Sequence, residues 1–356
     1  HPYHWRQIMA QNDVRMDAEP LKAFIQAVFT AAGMPAEDAA MEADVLIWAN
    51  LRGIDSHGVL RLAWYLEMLE KGQMNARPNI RTIKETPAVL YLDADKAVGP
   101  VATIPAMRRV MEKARNVGIG WAVLRNITHQ GAMAYYAQMA AQADMIGMAI
   151  VCSPPNMAPF GAKAAGLHNS PIAIAAPAGK HRPLSLDMAT SVAAGGKLWL
   201  AQDKGVPLGE GWALDAAGNA TTDAHAASIL LPAGGPKGSG LALMFQALTS
   251  ILAGNPLITP RLNDGVNVHN QNSVVAAIDI GLFTDPADFK QEVDDTIDAL
   301  KRLPRADGFD DVLMPGEPEF AVFDERSANG IPLPPGTLQK LRAASVQFGI
   351  PLPKGL

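Results

Sequence analysis

The sequence has very little of what marks several large classes of protein. Cys152 is the only cysteine among 356 residues, so no intrachain disulfide can form, and a lone thiol suits a reducing, cytoplasmic compartment. No apolar run approaches the roughly 18 residues of a membrane-spanning helix, and the N-terminal segment lacks the apolar centre of a signal peptide. The net charge is −5, without any polybasic run. We therefore expect neither a membrane nor a nucleic-acid partner.

The motifs of the common nucleotide- and metal-binding proteins are also missing. No GxGxxG fingerprint joins a strand to a helix, because the nearest approach, GIGWAV from Gly118, leads straight into an apolar strand. Gly196-Lys197 lacks the upstream glycine and the following Ser/Thr of a P-loop. The eight histidines are scattered, without an HExxH or paired-cysteine motif, so no metal site is predicted.

The composition is that of a globular protein, with 49% apolar and 18% charged residues and enough length for two or three domains. Helical periodicity dominates the N-terminal fifth. From about Arg77, short strand-like runs such as AVLYLDA (Ala88–Ala94) alternate with helical segments, which predicts an α/β or α+β core. The segment LALMFQALTSILAG, which follows Lys237, is apolar on nearly all sides and predicts a buried helix.

The segment RGIDSHGVLRLAWYLEMLEKG carries polar side chains at regular intervals among apolar ones. If it is helical from Asp55 onward, His57, Arg61 and Tyr65 follow the spacing i, i+4, i+8 and share one face. An imidazole, a guanidinium and a phenol in one row are typical of a reaction site. They are equally typical of the solvated side of an amphipathic helix, and the spacing alone leaves both interpretations open.

Further polar groups lie at glycine-bearing turns. His129 follows the strand-like GWAVLRN at the mouth of a helix, where free backbone N–H groups favour an anion. Asp187 ends another strand, and Lys237 lies between glycines directly before the apolar helix, where it could contact a phosphate. Gly316-Glu317 occupies a proline-bounded turn. Taken alone, each of these residues could equally be a helix cap or a solvated loop residue.

Taken in order, these segments are specific. DSHGV-x-R, H-x-GA-x-x-Y, DMATS, GPKG-x-G-LAL, PGE and NGIPL together resemble the malate/L-lactate dehydrogenase family of NAD(P)-dependent oxidoreductases. The resemblance extends from about Asp17 to Pro353. It implies a cofactor, NAD or NADP, held on a fold without a Rossmann fingerprint, and a small carboxylate substrate.

The resemblance also implies which positions form the site. The family's substrate-side and catalytic positions fall on Ser56, His57, Arg61, Tyr65 and His129. Its cofactor contacts fall on Ser153, His181, Arg182, Ser185, Asp187, Met188, Ala189, Lys237, Gly238, Gly316 and Glu317.

The family's architecture implies an α+β fold with helical parts at both ends, working as a homodimer. The substrate helix belongs to an N-terminal helical part, residues 14–75. Residues 76–125 and 283–325 are expected to form the catalytic domain, with a cofactor-binding domain, residues 126–282, inserted between them. Residues 326–356 form a C-terminal helical segment.

The expected reaction moves a hydride between nicotinamide and C2 of a 2-oxo or 2-hydroxy acid of the malate, lactate or ureidoglycolate type. Arg61 is the natural carboxylate partner because its planar fork makes two parallel charge-assisted bonds. His57 is the first choice as proton donor, and His129 is the competitor for that role. Ser56 and Tyr65 are expected to orient substrate oxygens.

Three alternatives stay open. The same fold could reduce the C=N bond of a cyclic imino acid such as piperideine-2-carboxylate, or serve as a non-catalytic small-molecule sensor. The basic cluster Lys180-His181-Arg182 could receive the 2′-phosphate of NADP(H), or could simply be a basic hairpin tip.

Lys237 is expected at the cofactor's pyrophosphate or a nearby ribose.

Overall fold

The computed structural model describes residues 14–266 and 269–356. These residues form a seven-stranded mixed sheet, a small three-stranded sheet and a two-stranded ribbon, with helices packed around them. In these two ranges, no helix is both long enough and apolar enough to cross a bilayer.

Helices dominate the N-terminal part, as predicted. The first helix begins after Asp17 and is followed by Gly33, whose φ of 103° favours glycine. The final helix of the chain packs against the first and third, and a ribbon joins the two ends of the chain. These elements are α1 (Ala18–Ala31), α2 (Ala36–Leu51), α3 (Leu62–Glu70), α11 (Pro335–Phe348) and the antiparallel strands β1 (Val14–Met16) and β12 (Ile331–Leu333).

The central sheet has the strand order β2-β3-β4-β11-β5-β6-β7, with only β3 and β4 parallel. This confirms the predicted mixed fold and differs from the parallel doubly wound sheet of Rossmann proteins. The strands are β2 (Arg81–Glu85), β3 (Val89–Asp93), β4 (Ile119–Ile127), β5 (Met145–Cys152), β6 (Ile172–Ala176), β7 (Leu184–Met188) and β11 (Gln271–Asp279).

Two helices, α4 (Gly99–Val117) and α5 (Ala134–Ala141), cover one face of this sheet and build the largest apolar core with it. Gly120 of β4 permits close packing, because a Cβ there would lie 1.9 Å from the Val110 carbonyl oxygen. The start of α4 is equally tight at Gly99. Strand β4 therefore ends at a fixed position, directly before the turn that carries His129.

A second, smaller core lies beside the sheet, and we call the unit around it the small lobe. Met157 and Leu167, from the connection between β5 and β6, pack there against Leu198 and Leu230. Its elements are α6 (Gly195–Lys204), β8 (Ala213–Asp215), β9 (Ala220–Thr221) and β10 (Ala227–Leu230).

The helix predicted at the GPKG motif is present, but the prediction that it is buried is wrong for the single chain. Helix α7 (Pro236–Gln246) continues into a π-helical turn, Ala247–Ile251. Phe245 packs on Ile150 and Cys152 of the sheet, whereas the opposite side of α7 is open. Exposed side chains there are Leu241 (45%), Leu243 (51%), Met244 (59%), Ile251 (59%) and Leu252 (60%).

The other α-helices come later in the chain than α7 and are α8 (Ile258–Asp264), α9 (Pro286–Lys301) and α10 (Glu317–Asn329). The expected division into catalytic and inserted cofactor-binding domains stays a prediction. Strand β11 pairs with both β4 and β5, so the strands assigned to the two domains share one continuous sheet.

Candidate active site

The DSHGV motif forms a broken turn rather than the start of one helix. Asp55–His57 and Val59–Arg61 are two short 3₁₀ turns, and α3 begins only at Leu62. Gly58 between them is extended, with ψ of −155°, and a Cβ there would lie 2.2 Å from Asn50 Oδ1. The prediction of a continuous helix from Asp55 is therefore wrong, because the Val59 amide donates to the Asn50 side chain rather than to the carbonyl four residues before it.

The turn is held from two sides. Asn50 Oδ1 accepts a hydrogen bond from the Val59 amide (2.8 Å), and Asn50 Nδ2 donates to Asp55 Oδ1 (2.6 Å). Arg326 of α10 donates to both carboxylate oxygens of Asp55, at 2.7 and 2.9 Å, and to the Asn50 carbonyl. We call these three residues the turn clamp. No sequence pattern predicts this clamp, because Asp55 and Arg326 are 271 positions apart.

The clamp fixes a cluster of polar side chains despite the broken helix. Ser56 Oγ and His57 Nδ1 are 2.9 Å apart, and Arg61 Nε donates to the Ser56 carbonyl at 2.7 Å. The His57 ring stacks on that of His129, with centroids 5.4 Å apart and an interplanar angle of 20°. Tyr65 contacts His129 as well. The structure thus brings together all five predicted substrate-side residues.

The tautomer of His129 follows from its neighbours. The Gly131 amide donates to His129 Nδ1 at 3.3 Å, and Tyr65 Oη lies 2.5 Å from the same nitrogen. Because a backbone N–H can only donate, Nδ1 is the acceptor and the neutral ring carries its proton on Nε2. Gly99 presses on this turn, since a Cβ there would lie 2.2 Å from the His129 carbonyl oxygen.

An open cleft of about 170 Å³ adjoins the cluster. His129 and Ser153 line it, whereas His57 is not among its lining residues. Ser153 Oγ accepts from Gln271 Nε2 at 2.7 Å, which ties the end of β5 to the start of β11. The rest of the lining is Trp64, Met68, Pro154, His269, Asn270 and Gln271, none of which belongs to the predicted site residues.

Desolvation keeps the two histidines neutral. It lowers the pKa of His57 to about 3, with a further contribution from the positive charge of Arg61. It lowers the pKa of His129 well below the usual range for the same two reasons, and neighbouring His57 adds to the effect. The Arg61 guanidinium lies 5.2 Å from the Trp64 ring centroid. The cleft therefore borders a fixed cation and neutral imidazoles, which favours an anionic ligand.

The GPKG motif lies on the small-lobe side. Gly234 and Gly235 have φ of 58° and 60°, and they turn the chain into α7 with Lys237 exposed in its first turn. Gly238 is pressed against the segment after β7, since a Cβ there would lie 2.3 Å from the Thr190 carbonyl oxygen. Lys237 does not line the cleft around His129.

The predicted cofactor residues of β7 support neighbouring elements. Asp187 Oδ2 accepts from the Ala134 amide at 2.8 Å, at the start of α5. Ser185 Oγ accepts from Gln138 at 2.8 Å. Met188 ends the strand and is 38% exposed, and Ala189 follows it.

The PGE turn lies against the same strand. The Ser185 amide donates to the Pro315 carbonyl at 2.9 Å, and Gly316 has φ of 92°. Glu317 accepts from Lys301 Nζ at 2.9 Å. The structure therefore places Gly316 and Glu317 beside β7 and away from the His129 cleft.

The basic cluster before β7 is paired within the chain. Lys180 and His181 both bond Asp298 of α9, at 2.5 and 2.8 Å, and Arg182 bonds Asp324 of α10 at 2.8 Å. Of the two interpretations offered by the sequence, these contacts favour a structural hairpin tip over a phosphate site.

Comparisons with known proteins identify the same family that the sequence motifs resemble. A family model described as malate/L-lactate dehydrogenase matches residues 16–342. The chain is 38% identical over 356 residues to malate dehydrogenase of Pyrococcus abyssi, covering 97% of each chain. It is 33% identical over 321 residues to ureidoglycolate dehydrogenase (NAD(+)) of Escherichia coli K12, covering 89% of this chain and 92% of that one. The solved structure of malate dehydrogenase from Pyrococcus horikoshii OT3 is similar, with a TM-score of 0.87, 35% identity and 98% coverage of both chains.

Proposed function

The chain belongs to the malate/L-lactate dehydrogenase family, and on that premise we propose that it transfers a hydride between a nicotinamide dinucleotide and C2 of a small 2-oxo or 2-hydroxy acid. One observation carries the proposal. The Arg61 guanidinium lies 5.2 Å from the ring centroid of Trp64, which lines the cleft together with His129, and His129 is bonded to Tyr65, so a carboxylate-binding cation and a proton-transferring group lie near one cleft.

Arg61 is assigned to the substrate carboxylate. Its Nε is already committed to the Ser56 carbonyl, which fixes the direction of the guanidinium. Desolvation lowers the pKa of Arg61, so an incoming carboxylate offsets a charge that the surrounding protein solvates poorly. Binding there also removes part of the positive potential that lowers the pKa of both histidines, and it therefore favours protonation beside the substrate.

His129 is assigned as the proton donor in place of His57, the first choice from the sequence. His129 lines the cleft, carries its proton on Nε2 and has Tyr65 behind Nδ1. As the carbonyl oxygen becomes an alkoxide, Nε2 gives its proton and Nδ1 takes one from the phenol, so no imidazolate forms, and Tyr65 recovers its proton from water after product release. His57 stacks on this ring and is held by Ser56, which gives it a positioning role.

The residues on the lobe side fit a dinucleotide. The left-handed glycines before α7 hold the exposed Lys237 at the start of the helix, where its cation suits a pyrophosphate. Gly238 leaves no room for a side chain beside Thr190. We assign Ser153, at the cleft, to the nicotinamide end and Lys237 to the phosphates. When bound, the nicotinamide supplies or accepts the hydride.

We propose NAD rather than NADP as the preferred form. Lys180, His181 and Arg182 are the basic groups closest in sequence to the β7 segment, and each bonds a carboxylate of α9 or α10. A 2′-phosphate would have to displace Asp298 or Asp324 and would be repelled by both.

The proposed activity is tested by following nicotinamide absorbance with a panel of 2-oxo, 2-hydroxy and cyclic imino acids and with each cofactor. We expect turnover of at least one 2-oxo acid with NADH and of its 2-hydroxy acid with NAD. Turnover of cyclic imino acids alone would replace the proposal with the imine-reductase alternative. Binding of an acid without any turnover would favour a sensor.

The choice of proton donor is tested with His129→Gln and His57→Gln. We expect His129→Gln to lower kcat about 10²- to 10⁴-fold, the usual contribution of a general acid. His57→Gln, which keeps a side chain able to bond Ser56, is its matched control and should cost less. The reverse order would return the role to His57.

We also propose that two copies of the chain pair through the exposed side of α7. Leu243 and Met244 are exposed there, and Ile174 and Met188 of the adjacent sheet face are 38% exposed. An apolar surface of this kind is typical of subunit interfaces. Met244→Glu is expected to halve the mass measured by light scattering. A wild-type protein that already has the mass of one chain would contradict the proposal.

A cytoplasmic location suits the single thiol. Cys152 is buried, and burial raises its pKa to about 11, so it is held as an unreactive thiol.

A further inference from the structure

Strand β4 carries one extra residue shortly before the turn of His129. Its pairing with β11 shifts by one position near the end of the strand. Arg125 and Asn126 of β4 therefore lie opposite one residue of β11, Asn272, an arrangement known as a β-bulge. Asn126 has φ of 56°, in the left-handed region that asparagine adopts more readily than most residues. The bulge thus lies directly before the segment that leads into the turn.

The bulge determines which side chains of β4 face the largest core. Ala122, Leu124 and Ile127 all pack in that core, whereas Val123, between the first two, packs in a separate cluster. Successive side chains of a regular strand alternate, so Leu124 and Ile127 would face opposite sides of the sheet. The extra residue brings both to the same side. It thereby sets the direction in which the chain enters the turn of His129.

Asn272 provides a partner for the residue that the bulge inserts. The extra residue of a bulge is left without a partner in the ladder. Here the Asn126 amide donates to Asn272 Oδ1 at 3.2 Å, and Asn272 is fully buried. On the other side of β4, the Asn126 carbonyl accepts from the Lys96 amide at 2.7 Å. Both backbone groups of the left-handed residue are therefore hydrogen-bonded.

The segment that follows α7 holds the side chain of Asn272 in place. Asn255 Nδ2 donates to Asn272 Oδ1 at 2.8 Å, and Asn272 Nδ2 donates to the Asn255 carbonyl at 2.9 Å. The Asn255 amide in turn donates to the Ser250 carbonyl of the π-helical turn at 3.0 Å. These bonds fix the orientation of the Asn272 amide group independently of β4, so its oxygen is already directed toward the bulge.

The residues between the bulge and His129 are also held in place. Ile127 is buried in the core, and Thr128 donates to the Ala97 carbonyl through its amide at 3.2 Å and through Oγ1 at 2.7 Å. If Asn126 left the left-handed region, this short segment would move by part of a residue relative to Ala97. A change at the bulge is therefore transmitted to the turn.

We propose that Asn272 is a positioning residue for His129. Its side chain stabilises the left-handed conformation of Asn126, the bulge directs the end of β4 into the turn, and the turn places the imidazole against Tyr65. The inference rests on the proposed function, because it explains how the proton donor assigned there is held. It adds no chemical step to the reaction.

Two substitutions of Asn126 separate its backbone conformation from its side chain. Asn126→Gly and Asn126→Val both remove the bond from Nδ2 to Asp93 Oδ1. Glycine adopts a left-handed φ without strain, whereas a β-branched residue strongly disfavours it. Asn126→Val should therefore lower kcat about 10- to 100-fold, the order of loss that a displacement of about 1 Å causes. Asn126→Gly, its matched control, should keep most of kcat.

Substitutions of Asn272 test the side chain itself. Asn272→Leu has a similar volume but no acceptor for the Asn126 amide, so kcat should also fall about 10- to 100-fold. The KM for the acid and the calorimetric affinity for NADH should change little, since Arg61 and Lys237 lie on other elements. Asn272→Asp keeps the acceptor and should lose less. Asn272→Leu combined with Asn126→Val should be no slower than the slower single variant, because both act on one bulge.

The position of the His129 ring is measured without turnover. Nitrogen NMR spectra of full-length protein with isotope-labelled histidine report whether Nδ1 is a hydrogen-bonded acceptor, and His129→Gln assigns the signal. We expect the His129 Nδ1 signal to shift in Asn272→Leu and Asn126→Val and to stay in place in Asn126→Gly.

Each other outcome overturns part of the account in a distinguishable way. An unchanged kcat and an unchanged histidine spectrum in Asn272→Leu refute the positioning role. If Asn272→Leu does not fold, equal losses in the two Asn126 variants refute it, because the loss then belongs to the Asp93 bond. Raised KM and weaker NADH binding, with a lowered urea midpoint, would make Asn272 merely structural. A wild type that turns over none of the acids refutes the proposed function, and the histidine spectrum still decides the positioning.

Discussion

Replacing Arg326 with methionine removes the side of the turn clamp that comes from α10, while keeping an apolar stem of similar length. The guanidinium is 11% exposed and the Asp55 carboxylate 46%. In the variant, the bond from Asn50 is the only one left to the Asp55 carboxylate among the residues that the structure describes, and the Asn50 carbonyl loses its bond from Arg326. The turn that ends at His57 then has one support in place of two.

The size of the effect follows from the burial of the pair. Exposed ion pairs contribute about 0–1 kcal/mol, and breaking fully buried ones costs about 3–5 kcal/mol. One partner here is nearly buried and the other half-exposed, so we expect the free energy of unfolding to fall by about 2 kcal/mol. A shift of about 1 Å in the groups beside the substrate costs on the order of 100-fold in rate. The value of kcat/KM should therefore fall about 10- to 100-fold.

The assay is a double-mutant cycle of Arg326→Met and Asp55→Asn, read by urea unfolding and by kcat/KM for a 2-oxo acid. We expect a coupling energy of roughly 1–3 kcal/mol in stability. Lys71→Met is the matched control, because it breaks an ion pair with Glu67 in which both side chains are more than half exposed. A coupling energy near zero, or unchanged kcat/KM in Arg326→Met, would refute the idea that α10 positions the turn.

Three further predictions concern the cleft and the cofactor. Arg61→Lys should lower kcat/KM for the acid by about 10- to 100-fold without weakening NADH binding in calorimetry, because the ammonium cannot make the bidentate pair; weaker nucleotide binding alone would contradict the assignment. Gly99→Ala should destabilise the chain by about 1–3 kcal/mol and lower kcat, since the added Cβ would displace His129, whereas Gly336→Ala, with nothing within 4 Å, should do neither. The kcat/KM for NADH should exceed that for NADPH. Asp298→Ala should reduce the ratio of the two kcat/KM values. A wild type with the higher kcat/KM for NADPH would refute the proposal that NAD is the preferred cofactor.

Local features of the fold could be predicted because their causes are local. Helix α1 lies between Asp17 and Gly33 as expected, and the strand-like runs became strands of one mixed sheet. The burial of α7 could not be predicted, because an all-apolar pattern does not distinguish a helix covered by its own chain from one left open. Residues such as Met244 show which case applies.

The active site also could be predicted only in part from the sequence. The motif residues, including Arg61 and His129, could be found from their pattern, and the structure brings the substrate-side group together. The break at Gly58 depends on the Asn50 side chain, and the clamp depends on Arg326. Contacts between distant positions leave no mark in a single sequence, so neither could be predicted. The preference for His129 over His57 required the position of the cleft itself.

Strand β11 runs antiparallel to both β4 and β5, so its first residues lie beside the last residues of its two neighbours. The chain leaves β5 through Ser153 and Pro154 and enters β11 through His269, Asn270 and Gln271, and both segments are walls of the cleft. A displacement of one segment relative to the other therefore changes the width of the cleft. A ligand that touches both walls bridges the two segments and opposes their relative motion.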